Sequence, residues 1–126
     1  MLSLTPELLV EDLPKTLAWY KTTLGFEVVF ISPESSAPTF ARIKRGNVEI
    51  MLFSRHDFAK EIPELSKVKM GGSLVLYLEV DDIRSEWGRV KDMVKVVQSL
   101  HSTNYDSQEF TIQDCNGYHL MFGERS

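Results

Sequence analysis

The chain has 126 residues, 43% of them apolar and 25% charged, with one cysteine and a formal charge of −4, which suits one domain, 1–126, whose core needs no staples. No apolar run approaches about 18 residues and no basic stretch leads into a hydrophobic N-terminal segment, so neither a membrane span nor a secretory signal is predicted, and the lone Cys115 excludes an internal disulfide and fits a reducing cytoplasm. Fourteen basic against eighteen acidic residues, with no Lys/Arg stripe interleaved with aromatics, argue against nucleic acid as a partner.

In chain order, the first predicted strand covers Thr5–Val10. A helix follows over Leu13–Leu24: Asp12 is a good N-cap, Pro14 is tolerated in the first turn, and Gly25 suits the left-handed position past the end. Leu13, Leu17, Tyr20 and Leu24 recur at helical spacing and form its apolar face. Three strands come next, Phe26–Ile31, Thr39–Lys44 and Val48–Phe53, the last two joined through Gly46-Asn47 as a tight turn. Residues 54–72 read as a linker with a short helical turn at PELSKV, closed by Gly71-Gly72. The order then starts again, with a strand over Leu74–Val80 and a helix over Ile83–Met93 capped by Asp82. Three further strands cover Lys95–Leu100, Glu109–Gln113 and Tyr118–Phe122.

Asp12 and Asp82 lie 70 residues apart, and the same offset carries Leu8 and Val10 onto Leu78 and Val80. It carries the helix face onto Ile83, Trp87, Val90 and Val94, and also Phe40 onto Phe110, Ile50 onto Leu120 and Met51 onto Met121. The Gly46-Asn47 turn lands on Asn116-Gly117. A single offset that serves cap, helix face, strand and turn indicates a duplicated βαβββ unit, with module one at 4–53 and module two at 73–123. The fold class expected is α+β, two tandem βαβββ modules whose open sheets each carry a helix on one side and give the other side to a cleft.

Val10, Asp12, Leu13, the Trp19-Tyr20 pair and Leu24-Gly25-Phe26 together resemble the opening signature of the glyoxalase, bleomycin-resistance and dioxygenase group, the vicinal oxygen chelate superfamily. The closing QDCNGYHLMF, with Asp114 and Gly117 in place, is similar to that group's usual ending. The resemblance runs over essentially the whole chain. It implies a homodimer with ligand clefts lined by two βαβββ modules. It also implies four strand positions where metal-dependent members carry His, Gln or Glu, and these fall on Thr5, Met51, Val75 and Met121. Such a set makes no cage for a hard or borderline divalent ion, so no metal and no cofactor is expected. What the resemblance then implies is the metal-free, bleomycin-resistance-like branch, whose members sequester a drug and perform no chemistry.

Strand alternation sorts the residues of the cleft. Glu7 comes from the first strand, and Glu49, Met51 and Phe53 from Val48–Phe53. With Gly46-Asn47 as a two-residue turn, Phe40 lies across from Phe53, Arg42 from Met51, and Lys44 from Glu49 as a cross-strand ion pair. The second copy contributes Val75, Tyr77 and Glu79, plus Ile112, His119 and Met121. Phe40, Phe53 and Tyr77 offer area to a planar ligand, while Glu7, Glu49 and Glu79 suit a cationic one. No residue is assigned as catalytic: His119 has the right chemistry for acid–base work but reads as a polar residue beside Asp114. The loops Ser32–Pro38 and Ser102–Ser107 are candidate lids. The expected function is a metal-free small-molecule binding protein. The alternative is a glyoxalase- or dioxygenase-like lyase or oxidoreductase, with a relocated metal site or none.

Overall fold

A computed structural model describes residues 1–125, and the chain divides after Met70 into two compact units. The first contains β1 (Glu7–Val10), α1 (Leu13–Leu24), β2 (Glu27–Ser32), β3 (Phe40–Arg45) and β4 (Val48–Ser54). A single turn of helix, α2 (Arg55–Phe58), and a 3-10 turn (Pro63–Leu65) complete it, the second within the expected PELSKV stretch. Its sheet runs β1-β4-β3-β2, with β1 parallel to β4 and the other pairs antiparallel. A parallel pair needs a crossover, and α1 lies within the one that links β1 to the other three strands.

Helix α1 starts and stops where its ends are satisfied. The Asp12 carboxylate accepts the Lys15 N–H at 3.0 Å, a cap that contributes about 1 kcal/mol. Gly25 takes the left-handed conformation (φ 72°) and donates to Lys21 O, while the Phe26 N–H reaches back to Tyr20 O. Leu13, Tyr20 and Leu24 are buried against Leu8, Val10, Ile43, Ile50 and Leu52, which alternate along the strands to form the core.

The second unit repeats the plan with β5 (Val75–Glu79), α3 (Ile83–Val90), β6 (Lys95–Ser102), β7 (Ser107–Gln113) and β8 (His119–Arg125), in the order β5-β8-β7-β6. Here too the outer pair, β5 with β8, is parallel. The two βαβββ modules are therefore present as an α+β fold. No helix is long and apolar enough to cross a membrane.

Two features of the second unit differ from the sequence reading. Helix α3 ends at Val90, not Met93. Lys91 stays right-handed where α1 has its left-handed glycine, and the chain leaves through a turn closed by Met93 N–H to Val90 O at 2.8 Å. Met93 is half exposed as a result, and Val94 lies beyond the helix. The larger difference is in the β7–β8 connection. Lys44 faces Glu49 across β3 and β4 with residues 45–48 between them, whereas Gln113 faces His119 across β7 and β8 with residues 114–118 between them. Asn116-Gly117 is thus part of a loop one residue longer than its counterpart. Asp114 organises it: its Oδ1 accepts the N–H groups of Asn116 and Tyr118, each at 2.9 Å, and its own N–H donates to Tyr118 O.

One extra residue turns a strand over relative to its counterpart, because side chains alternate with a period of two. Phe110 is consequently the structural equivalent of Ala41, not of Phe40. It points inward, stacked on Phe122 at 4.8 Å and against Trp87 at 5.1 Å. Ile112, expected on the open side, is fully buried opposite Leu120. The side of β7 away from α3 carries Glu109, Thr111 and Gln113, which register with Gly123, Met121 and His119.

Candidate functional site

Each sheet packs its helix on one side and leaves the other side open. In the first unit the face away from α1 gathers Glu7, Phe40, Arg42, Lys44, Glu49, Met51 and Phe53, as expected from alternation. Glu7 pairs with Met51 across β1 and β4, while Arg42 pairs with Met51 and Phe40 with Phe53 across β3 and β4. Glu49 forms its ion pair with Arg42 at 2.8 Å and not with Lys44, which stands directly opposite. The longer, forked guanidinium reaches diagonally to the carboxylate, and Lys44 instead borders a shallow recess with Gly25 and Glu27 at the sheet edge.

Beside this ion pair runs a row of four phenylalanines. Phe30 lies 6.0 Å from Phe40, Phe40 lies 5.6 Å from Phe53, and Phe53 lies 4.9 Å from Phe58, all ring centroid to ring centroid. The tilted and edge-on geometries are those aromatic pairs prefer. Phe30 is 51% exposed and the next two rings are half-buried, so the row is a surface and not a core. Alternation accounts for Phe40 and Phe53. Phe30 and Phe58 escaped the sequence reading: a bulge between Val28 and Phe30 resets the face of β2, and Phe58 is delivered by the short α2.

The second unit places its predicted residues on the corresponding face, with Tyr77 opposite Met121, Val75 opposite His119, and Glu79 opposite Gly123. The His119 ring meets Gln113, Nε2 to Nε2 at 3.3 Å, which is no acid–base pair. The centre of this face is a residue the sequence reading did not select. Glu109 is only 4% exposed, and each of its carboxylate oxygens accepts a tyrosine hydroxyl, Tyr105 at 2.8 Å and Tyr77 at 3.3 Å.

Tyr77 reaches Glu109 from β5 across the intervening β8, and it does so over Gly123. A Cβ at Gly123 would collide with the Tyr77 hydroxyl and lie 2.6 Å from its Cζ, so only glycine leaves this passage open. Tyr105 comes from the loop between β6 and β7. There Thr103 Oγ1 accepts the N–H groups of Tyr105 and Ser107 and lies 2.8 Å from Ser107 Oγ, which turns Tyr105 back over β7. The loop expected as a lid is thus tied down by its own hydroxyls.

Both phenols are held above their ordinary proton affinity. For Tyr77 burial is the main cause, followed by the negative charge of Glu109 and the hydrogen bond to it. For Tyr105 the hydrogen bond to Glu109 comes first, then burial. The signal that would have found this cluster is the count of residues in the Asp114–Tyr118 loop, which turns a charged residue of β7 onto the open face.

The four positions at which the resemblance implies metal ligands hold a hydroxyl (Thr5), two thioethers (Met51, Met121) and an alkyl chain (Val75). This donor set does not fit a hard or borderline divalent ion. No group of three or more His, Cys, Asp or Glu side chains is gathered as a metal set among the described residues.

Comparison with known proteins agrees with the architecture. No curated protein matches the chain. A protein of unknown function from Agrobacterium tumefaciens str. C58 superposes with a TM-score of 0.83 at 18% identity, covering 100% of this chain and 95% of its own. A hypothetical protein from S. aureus is 22% identical, with a TM-score of 0.78 over 98% of this chain and 94% of its own. A glyoxalase/bleomycin resistance protein/dioxygenase from Nocardioides is 15% identical, with a TM-score of 0.76 over 99% of this chain and 84% of its own. At these identities the likeness concerns the fold. The family's sequence model matches residues 4–122, and the chain belongs to the Glyoxalase/Bleomycin resistance protein/Dioxygenase superfamily.

Proposed function

We propose that the chain is a metal-free small-molecule binding protein of the bleomycin-resistance kind. It holds a planar organic ligand against the helix-free side of its sheet and acts as a cytoplasmic homodimer. The observation that carries this reading is the row Phe30, Phe40, Phe53 and Phe58. Four adjoining rings on a sheet face, the first half exposed, contribute nothing that the core on the other side requires. They offer a planar ligand contact area together with the ring-edge and ring-face geometry that stabilises aromatic pairs by about 0.5–1.5 kcal/mol each. The Arg42–Glu49 pair beside them supplies a donor and an acceptor to orient the ligand's polar edge.

The enzyme alternative, a glyoxalase- or dioxygenase-like lyase or oxidoreductase, has weaker support, because the strand positions that would carry its metal ligands have the wrong donors.

A fluorescence titration with acridine, a planar heteroaromatic, tests the reading. Saturable binding is expected, weakened about tenfold or more in Phe53→Ala, the equivalent of about 1.4 kcal/mol. The variant is expected to retain a cooperative melt. Equal acridine affinity in the wild type and Phe53→Ala would sink the proposal.

A further inference from the structure

We infer that the Glu109 carboxylate and the Tyr77 and Tyr105 phenol oxygens around it form a binding site for an organic ammonium group. Burying a carboxylate costs several kcal/mol unless a partner compensates. Glu109 is 4% exposed, yet it forms no ion pair with Lys, Arg or His among the described residues. Among the described residues, the partners of its carboxylate are the two tyrosine hydroxyls. His101 faces it across β6 and β7, but its Nδ1 is turned to Ser99 O at 2.8 Å. Arg125 is near enough to act on Tyr77 through its charge but is itself exposed on the last strand.

The hydrogen inventory then determines the ligand. A phenol has one hydrogen to donate, and both phenols commit theirs to Glu109. Two carboxylate oxygens and two phenol oxygens are left with free lone pairs and no donor among them. A carboxylate or phosphate ligand would meet only acceptors. A positively charged group with several N–H donors meets what it needs, and such charge-assisted bonds are roughly twice as strong as neutral ones. Access is also available: Tyr77 is 48% and Tyr105 63% exposed, so both rings border solvent and the site is reached without opening the core. Gly123 keeps the passage clear beneath Tyr77. The inference does not depend on the phenylalanine row, which belongs to the other unit.

Benzylammonium, its neutral isostere benzyl alcohol, and benzyltrimethylammonium, which has no N–H, are the probes. Each is titrated into the full chain while the ring resonances of Tyr77 and Tyr105 are followed by NMR. Benzylammonium is expected to shift both tyrosines saturably, and benzyl alcohol to leave them in place. Glu109→Gln, which keeps the shape and removes the charge, is expected to weaken benzylammonium binding by about tenfold or more. Weaker shifts with benzyltrimethylammonium support the N–H contacts, whereas stronger ones overturn the donor argument. Equal benzylammonium affinity in Glu109→Gln overturns the site. Should that variant not fold, the wild-type comparison decides: equal shifts from benzyl alcohol and benzylammonium, or none from either, refute the assignment.

Discussion

Phe40 faces Phe53 across β3 and β4, and at the corresponding place across β7 and β8 Glu109 faces Gly123. The inward faces of the two sheets, by contrast, solve one problem in one way: Ala41 with Leu52 in the first unit, Phe110 with Phe122 in the second, all buried apolar pairs against a helix. A helix has to be covered, so the inner face is built chiefly of apolar side chains of matching volume, with Glu124 at its end accepting the Ile83 N–H of α3 at 2.7 Å. The helix-free face carries no such demand. One sheet uses it for a row of rings, and the other for a carboxylate held by two phenols. The two units share one scaffold and differ in the chemistry of their open faces.

Substitutions on the two sides should separate most in stability. Phe110→Ala removes a fully buried ring stacked on Phe122 and is expected to cost about 3–5 kcal/mol in denaturant unfolding. Phe40→Ala, on a half-buried ring of the open face, should cost no more than about 1–2 kcal/mol. Equal losses would break the distinction between inner and open faces.

A smaller effect is expected at Gly123. Gly123→Ala drives a methyl into the half-exposed Tyr77, detaches it from Glu109, and costs about 0.5–1.5 kcal/mol, the worth of the lost hydrogen bond. In a Tyr77→Ala background the same substitution should be nearly silent, a coupling that a double-mutant cycle on thermal melts would measure. Purely additive effects would mean that the tyrosine does not lie over the glycine.

The smallest effect is a pH dependence confined to the second unit. Tyr77 and Tyr105 are both raised above the ordinary 10.0, so the folded chain holds these protons more tightly than the unfolded chain. Their contribution is complete below the unfolded value and is lost as pH rises through the folded values. The melting temperature of the wild type should therefore fall more steeply above about pH 10 than that of a Tyr77→Phe, Tyr105→Phe double variant. Parallel curves would show that the hydrogen bonds to Glu109 do not persist in solution.

Much of this was legible before any coordinates. Asp12 and Gly25 bound α1 because capping is local chemistry, and Arg42 opposite Met51 follows from a two-residue turn and alternation. The face of β7 was not legible, because Asn116-Gly117 has the composition of a tight turn while the Asp114 side chain closes a longer one. That single residue transferred Phe110 and Ile112 to the core and Glu109 to the open face. Tyr105 was hidden for a different reason: its direction depends on hydrogen bonds among Thr103 and Ser107 that no pattern of apolar residues encodes. Glu49 chose Arg42 over the expected Lys44 through side-chain reach, which register alone does not determine.

Ligand binding on the phenylalanine face is tested most directly by mapping acridine on the full chain through the ring-proton resonances of its phenylalanines. Saturable shifts at Phe30, Phe40, Phe53 and Phe58, with Phe110 and Phe122 unmoved, are the predicted result. Shifts absent from that row, or equal in the buried pair, would contradict it.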